Sequence, residues 1–290
     1  MPASIDDVVK LLELEKLEEN LYRGGQPASS SLKRVFGGQV ASQAVMAAQL
    51  TVPDDRSIHS LHIYFVLGGD PSIPIIYDVE SIRDGRSFTT RRVAARQHGK
   101  IIFYMTASFQ VHEEGWEHHD PIPDIPGPDE GTPMIDLISI FNPDGVEPWK
   151  NEWGSFDMRY LGDTRAEDDP TRATTLVAQR MWFRAAGSLP DDQRLHNAAF
   201  TYFSDFSLLA ASLLPHHVLI NSPKVQPASL DHTIWFHRPI QADEWLLYDQ
   251  SSPSASGARG LSTAKVFDQT GRLVATVAQE GLIRPTQPLD

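Results

Sequence analysis

The sequence contains no cysteine among its 290 residues. This absence excludes disulfide bonds, thiolate metal ligands and a cysteine nucleophile. Long apolar runs are also absent, since none approaches the roughly 20 residues that a membrane-spanning helix needs. The first residues, MPASIDDVVKLLELEKLEEN, are acidic and amphipathic, which is not the pattern of a signal peptide. We therefore expect a soluble protein of the cytoplasm with no membrane partner.

Basic residues are scarce, with 25 Lys and Arg against 38 Asp and Glu, and the formal net charge is -13. Nucleic-acid binding depends on basic patches, so we expect no nucleic-acid partner. A polyanionic small ligand remains compatible with this charge because it needs only a few local cations. The hydrophobic content of 41% is enough for a proper core, and the length suits one large domain or two of ordinary size.

Charge is also missing from a long stretch in the second half of the chain. Between Arg194 and Lys224, counting histidine as neutral, the only charged residue is Asp205. The segment NAAFTYFSDFSLLAASLL, residues 197–214, is apolar on nearly every side and predicts a buried helix. A lone buried carboxylate is unfavourable unless something pairs it or uses it. Two interpretations stay open: a carboxylate satisfied by capping or water, and a catalytic carboxylate, because perturbed acids concentrate at functional sites.

A second uncharged stretch, residues 35–53, opens with Gly37-Gly38 and predicts another buried helix. Exposed backbone N–H groups at such a helix start suit an oxygen anion. Close packing of a helix on a sheet is the more common reason for paired glycines, so the motif alone is weak evidence.

Each predicted helix is followed by a run of antiparallel strands. Phe65 and Tyr77 in the first run recur at a constant offset as Phe236 and Tyr248 in the second, which indicates an internal duplication. The predicted fold class is α+β, with two long helices each wrapped by a curved antiparallel sheet and the two units joined edge to edge. The natural site lies between the two helices. The predicted strands are residues 58–66, 73–83, 87–97, 100–110, 229–237, 244–251, 261–268 and 273–283.

The segment between the two units, HEEGWEHHDPIPDIPGPDEGTP, is dense in proline, glycine and acid and predicts a linker. We divide the chain into an N-terminal repeat over residues 1–110, a linker over 111–155 and a C-terminal repeat over 156–290. Two strands are predicted at 156–160 and 174–184. The pair His118-His119 in the linker has no neighbours at ligand spacing, so we expect neither a metal site nor a cofactor.

A set of short segments carries a family resemblance in order and with compatible spacing, from about Leu11 to Arg284. They are FGGQV, HSLHIYF, PIIYDVESIRDGRSF, RRVAARQHGKIIFYMTASFQ, LDHTIWFHRP, EWLLY, SASGARG and QEGLIR. Together they resemble the acyl-CoA thioesterase II family, whose members are double-hotdog enzymes. The resemblance implies hydrolysis of acyl-CoA to a fatty acid and free CoA, without a cofactor, by a protein that we expect to be a homo-oligomer.

The resemblance implies three catalytic residues that together hold a water. These are Asp205, Ser229 just ahead of LDH, and Gln279 just ahead of EGL. The residue pattern isolates only Asp205, so the other two residues depend on the resemblance. An ionised carboxylate accepts a proton, while a hydroxyl and an amide orient the water without competing charge. Burial should raise the pKa of Asp205 above its reference of about 3.9.

Further positions are candidates for substrate contacts. The helix start at Gly37 and Gly38 is the candidate source of backbone donors for the thioester oxygen. Arg259, in SASGARG, either meets a CoA phosphate or is simply solvated. Two departures stand out: Ser229 replaces the more usual Thr, and residues 66–70 read VLGGD where an Arg-Pro-Gly-Asp sequence is more usual.

Two other functions remain open. A hotdog enoyl-CoA hydratase would use an Asp and a His, and Asp231-His232 supplies both. Adjacent residues of a strand point to opposite faces, which argues against their joint action. The other alternative is a non-catalytic acyl-CoA binding protein. Thiol release from palmitoyl-CoA, loss of the enoyl absorbance of crotonyl-CoA, or binding without either distinguishes the three.

Overall fold

The computed structural model describes residues 2–27, 32–163 and 178–287. Its helices are α1 (Ile5–Leu12), α2 (Gly37–Gln49), α3 (Met134–Phe141), α4 (Val146–Trp153), α5 (Gln193–Ser204) and α6 (Leu208–Ala211). Its strands are β1 (Glu15–Glu18), β2 (Leu21–Gly24), β3 (Arg56–Phe65), β4 (Ile75–Asp84), β5 (Phe88–Gln97), β6 (Lys100–Val111), β7 (Thr132–Pro133), β8 (Phe156–Asp163), β9 (Ala178–Ala185), β10 (Val225–Ser229), β11 (Asp231–Phe236), β12 (Leu246–Ser256), β13 (Arg259–Asp268) and β14 (Leu273–Pro285). No helix within the described ranges combines the length and apolar character needed to cross a bilayer.

The strands of the described residues form one 14-stranded sheet, in the order β1-β2-β4-β5-β6-β3-β11-β14-β13-β12-β9-β8-β7, with β10 alongside β14. The central neighbours, β3 and β11, are antiparallel and pair Leu61 with Ile234. Each therefore protects the other's strand edge. The two predicted strand runs thus join edge to edge, and the predicted α+β double hotdog is confirmed.

Helices α2 and α5 are the two central helices, and they pack antiparallel against each other. Every residue of α2 after Gly37 is buried, and its alanines and valines allow close packing. At one end of the pair, Gln49 Nε2 donates to the carbonyl of Arg194 at 3.1 Å. At the other end, Gly38 lies against the carbonyl of Tyr202. The start of α2 therefore faces the end of α5.

The uninterrupted helix predicted over residues 197–214 is wrong. Helix α5 ends at Ser204, Asp205 is its C-cap, and only the short α6 follows. Strand β12 supplies partners where the helix opens: Tyr248 Oη donates to the carbonyl of Ser204 at 2.8 Å, and Ser207 Oγ donates to Gln250 Oε1 at 3.0 Å. Apolar periodicity reports burial but not such hydrogen bonds, so it could not place the break.

The segment predicted as a linker over 111–155 also contains ordered structure. Its first part lacks helix and strand, but α3 and α4 follow. The Trp153 ring of α4 lies 5.1 Å from Phe36 and 4.7 Å from Phe206, measured between ring centroids. Helix α4 therefore covers the core next to the start of α2. The strand predicted at 174–184 begins outside the described residues, and its described part matches β9.

Candidate active site

Asp205, Ser229 and Gln279 come together from three elements. Asp205 caps α5, Ser229 ends β10, and Gln279 lies in the neighbouring β14. Gln279 Nε2 donates to Asp205 Oδ1 at 2.6 Å and to Ser229 Oγ at 2.8 Å. Ser229 Oγ also donates to Asp205 Oδ1 at 3.3 Å. The structure therefore brings all three residues into direct contact, while their catalytic roles remain predictions.

Burial governs the charge of Asp205, whose residue surface is only 8% exposed. It raises the pKa of Asp205 to about 7, and the hydrogen bonds from Gln279, Ser229 and the Gly38 backbone moderate that rise. No Lys or Arg of the described ranges forms an ion pair with this carboxylate. A carboxyl group with this pKa can take up and release a proton near neutral pH, which suits general acid–base chemistry.

The glycines of α2 bring the first repeat into the site. A Cβ on Gly37 would lie 2.5 Å from Asp205 Oδ2, and one on Gly38 would lie 2.2 Å from the carbonyl oxygen of Tyr202. Only glycine permits this approach of the two helices. The backbone N–H of Gly38 donates a hydrogen bond to the Asp205 carboxylate. The paired glycines therefore serve packing and support the carboxylate, and an oxyanion role for either one remains a prediction.

Arg259 lies on the opposite face of the sheet from Gln279. Its Nε donates to Glu280 Oε1 at 3.0 Å, and the Arg259 side chain is 48% exposed. Glu280 follows Gln279 along β14, so their side chains point to opposite faces. A contact between Arg259 and a CoA phosphate remains a prediction, and any such ligand would compete with Glu280 for the guanidinium.

Asp231 and His232 do not form a catalytic pair. Asp231 Oδ1 accepts the backbone N–H of Glu280 at 2.7 Å. His232 is fully buried on the other face, with Nε2 at 2.8 Å from Ser204 Oγ. Burial lowers the pKa of His232 to about 3, so the ring is neutral. This geometry agrees with the argument against a hydratase.

Residue patterns alone did not place Ser204, Tyr248 and the imidazole of His232 beside the site, where they contact one another. The available signal was the strand alternation of β11, where His232 occupies an inward position beside Ile234. A polar residue at an inward position needs a partner in the core, so it indicates a site or a buried network.

An ionisable carboxylate lies beside a hydroxyl and an amide at the junction of two hotdog repeats, an arrangement that fits the hydrolase class of hotdog proteins. Comparison with known proteins agrees. Two family models match the chain, one described as acyl-CoA thioesterase over residues 159–282 and one as acyl-CoA thioesterase N-terminal domain over residues 26–110.

Individual relatives extend over nearly the whole chain. Acyl-CoA thioesterase 2 of Haemophilus influenzae is 38% identical, covering 97% of this chain and 98% of the relative. Acyl-coenzyme A thioesterase 8 of Mus musculus is 39% identical, covering 96% and 88% respectively. The crystal structure of an acyl-CoA thioesterase II from Mycobacterium marinum superposes with a TM-score of 0.81 at 42% identity, covering 97% of this chain and 99% of that one.

The chain therefore belongs to the acyl-CoA thioesterase family and is a thioester hydrolase. This confirms the family resemblance, the predicted fold and the predicted enzyme class.

Proposed function

We propose that Asp205, Ser229 and Gln279 bind one water and direct it at the thioester carbonyl of a fatty acyl-CoA, releasing fatty acid and CoA. The observation that supports this most is the Gln279 amide, whose nitrogen contacts both Asp205 and Ser229 within 2.8 Å. A water beside the three side chains finds a carboxylate to take its proton and two polar groups to orient it.

The proton balance of this reaction needs only Asp205. The ionised carboxylate takes a proton from water as the water oxygen bonds to the carbonyl carbon. The resulting tetrahedral intermediate collapses with cleavage of the C–S bond, and the protonated Asp205 returns its proton to the departing CoA thiolate. Thiols have a reference pKa near 8.5, so an acid with a pKa of about 7 is a competent donor.

The thioester oxygen gains negative charge in this step and needs hydrogen-bond donors. The start of α2 lies against the carboxylate, so its backbone is the nearest helix terminus for that role, and Gly37 is our candidate donor. The CoA phosphates require cations at the surface, and Arg259 is our candidate. An Arg259→Ala variant should raise KM more than it lowers kcat, because a remote phosphate contact is largely uniform binding.

We also propose that the enzyme acts in the cytoplasm as a homo-oligomer and without a nucleic-acid partner. The exposed face of the sheet supports an oligomer, since Tyr64, Tyr104 and Trp235 lie exposed on the neighbouring strands β3, β6 and β11. Aromatic residues are enriched at protein interfaces. Light scattering of the purified protein, with Trp235→Lys as the disrupting variant, measures the oligomeric state.

The decisive test of the reaction is thiol release from a panel of acyl-CoA substrates by the native enzyme and by Asp205→Asn. Asparagine is nearly isosteric but takes no proton, so kcat should fall by ~10²- to 10⁴-fold, the usual effect of losing a general base. Near-native kcat in a folded Asp205→Asn enzyme would contradict the mechanism. Loss of the crotonyl-CoA absorbance without thiol release would favour a hydratase, and binding without turnover would favour a sensor.

A further inference from the structure

We propose that His232 is a positioning residue, whose Nδ1–H holds the Gln279 amide with its NH₂ group turned toward Asp205 and Ser229. This inference depends on the proposed function, because it assigns a partner to one of the proposed catalytic side chains. His232 itself would touch neither the water nor the substrate.

The hydrogen bonds around the buried His232 ring leave one ring nitrogen and the Gln279 amide oxygen unpaired. His232 Nε2 lies 2.8 Å from Ser204 Oγ. Both hydrogens of the Gln279 amide are used, one toward Asp205 and one toward Ser229. His232 Nδ1 and Gln279 Oε1 are both buried, and neither has a hydrogen-bond partner among the described residues. His232 lies opposite Gln279 on the neighbouring strands β11 and β14, one residue along from the pair Thr233 and Ala278. The amide raises the pKa of the ring against the larger effect of burial, as a nearby acceptor oxygen does.

The tautomer of the neutral ring follows from these contacts. A neutral imidazole has one N–H and one lone pair. With the proton on Nε2, the Nδ1 lone pair would face the Gln279 oxygen, and two buried acceptors would stay unpaired at a free-energy penalty. With the proton on Nδ1, the ring donates to Gln279 Oε1, and Nε2 accepts the hydroxyl proton of Ser204. The second arrangement pairs both Nδ1 and Oε1, and in it the Ser204 hydroxyl proton turns to Nε2 and away from the Thr201 carbonyl, which lies 3.0 Å from Ser204 Oγ.

The same network explains why the ring matters for the amide. The two ends of a glutamine amide have nearly equal size, so hydrogen bonds decide which end faces which partner. Without a donor at Nδ1, the amide would be free to turn over and present its oxygen to the ionised Asp205. That orientation repels the carboxylate and removes one of the groups that fix the water.

The N-terminal repeat shows that packing alone does not require a histidine here. Thr233 pairs with Ala278 between β11 and β14, as His62 pairs with Thr106 between β3 and β6. The positions equivalent to His232 and Gln279 are therefore Leu61 and Ala107, both fully buried. The fold accepts leucine at this position where no amide needs orientation, so the histidine and the glutamine occur together.

The test is a double-mutant cycle with a conservative rescue. His232→Leu introduces the residue of the equivalent position and should lower kcat by about 10- to 100-fold with little change in KM, the effect expected for losing one orienting hydrogen bond. His232→Asn keeps a donor near Nδ1 and should recover most of that loss. In the Gln279→Ala background, His232→Leu should change kcat by less than about twofold, because nothing remains to be oriented.

Nitrogen-15 NMR of the histidine-labelled enzyme gives a second readout, and the expected result is a neutral ring protonated at Nδ1. A neutral ring protonated at Nε2 would overturn the inference. Equal losses from His232→Leu in the native and Gln279→Ala backgrounds would also overturn it and leave the proposed function standing. Near-native kcat in Gln279→Ala alone would overturn both, since the amide would then have no catalytic task.

Discussion

The two repeats share one architecture but differ at the positions that form the site. Leu50 is the C-cap of α2 as Asp205 is the C-cap of α5, and the strand pairing of β3 with β6 repeats that of β14 with β10 and β11. By strand register, Ser229 corresponds to Ile58 and Gln279 to Ala107, and the residue that caps α2 as Asp205 caps α5 is Leu50. Every polar member is apolar in the N-terminal repeat.

This difference distinguishes the residues that the hotdog fold requires from the residues that the proposed reaction requires. Ile58 and Ala107 are buried, so the fold is satisfied by apolar side chains at these positions. The buried Asp205 and Gln279, with the half-buried Ser229, reduce the stability of the second repeat unless they satisfy one another. The first repeat contributes instead the glycines of α2, which support Asp205 across the junction. The proposed active site therefore takes its side chains from the C-terminal repeat and its supporting backbone groups from the N-terminal repeat.

Converting Gln279 to its first-repeat equivalent should give the largest effect in this comparison. Gln279→Ala removes the group that contacts both Asp205 and Ser229, and kcat should fall by ~10²-fold or more while folding is retained. Thiol-release kinetics with circular dichroism as the folding check measures this. A loss confined to KM would place Gln279 in substrate binding instead.

Gly38→Ala should damage the junction between repeats. The new Cβ would lie 2.2 Å from the backbone oxygen of Tyr202, so the two central helices must separate. We expect a loss of roughly 2–4 kcal/mol in the free energy of unfolding, typical of backbone strain with overpacking. Gly25→Ala is the matched control, because a Cβ there meets nothing within 4 Å. Equal stability of the two variants would refute the assigned packing role.

The pH dependence should follow Asp205. Its pKa is about 7 when folded against 3.8 for the reference group, so between those values the folded chain binds more protons than the unfolded chain. Stability from this group is therefore full below about pH 4 and is lost as pH rises through 7. Asp205→Asn should be more stable than the native enzyme above pH 7, by on the order of 4 kcal/mol, and the gain should shrink toward pH 4.

The same titration predicts a rate that rises with pH through about 7, since only ionised Asp205 accepts a proton. His232, with a pKa of about 3, stays neutral throughout, and burial keeps Tyr248 protonated. Denaturant unfolding and kcat/KM measured from pH 5 to 9 check both predictions. A pH-independent difference in stability between Asp205→Asn and the native enzyme would show that the carboxylate keeps one protonation state.

The smallest effect should come from the reverse change in the first repeat. Leu50 is 43% exposed, so Leu50→Asp buries no charge and should alter the free energy of unfolding by less than about 1 kcal/mol. It should leave kcat unchanged, because Ile58 and Ala107 offer nothing to hold a water. A higher kcat in Leu50→Asp would show that the first repeat can also form a catalytic site.

Much of this fold could be predicted from the sequence because burial and strand alternation leave a clear pattern. The two helices, the strand runs and their constant offset came from that pattern, as did Asp205 in its uncharged stretch. Ser229 and Gln279 needed the family resemblance, since a single serine or glutamine in a strand has no periodic signal. The break after Ser204 and the helices α3 and α4 depend on tertiary partners such as Tyr248 and Phe36, which no local pattern reveals.

The central claim, that Asp205 and Gln279 act on one water, is tested most directly by the kcat of the double variant Asp205→Asn/Gln279→Ala beside the two single variants. Residues that act as one unit lose function together, so the double variant should be barely slower than Asp205→Asn alone. Losses that multiply would show that the two side chains act independently, and the shared water would then be wrong.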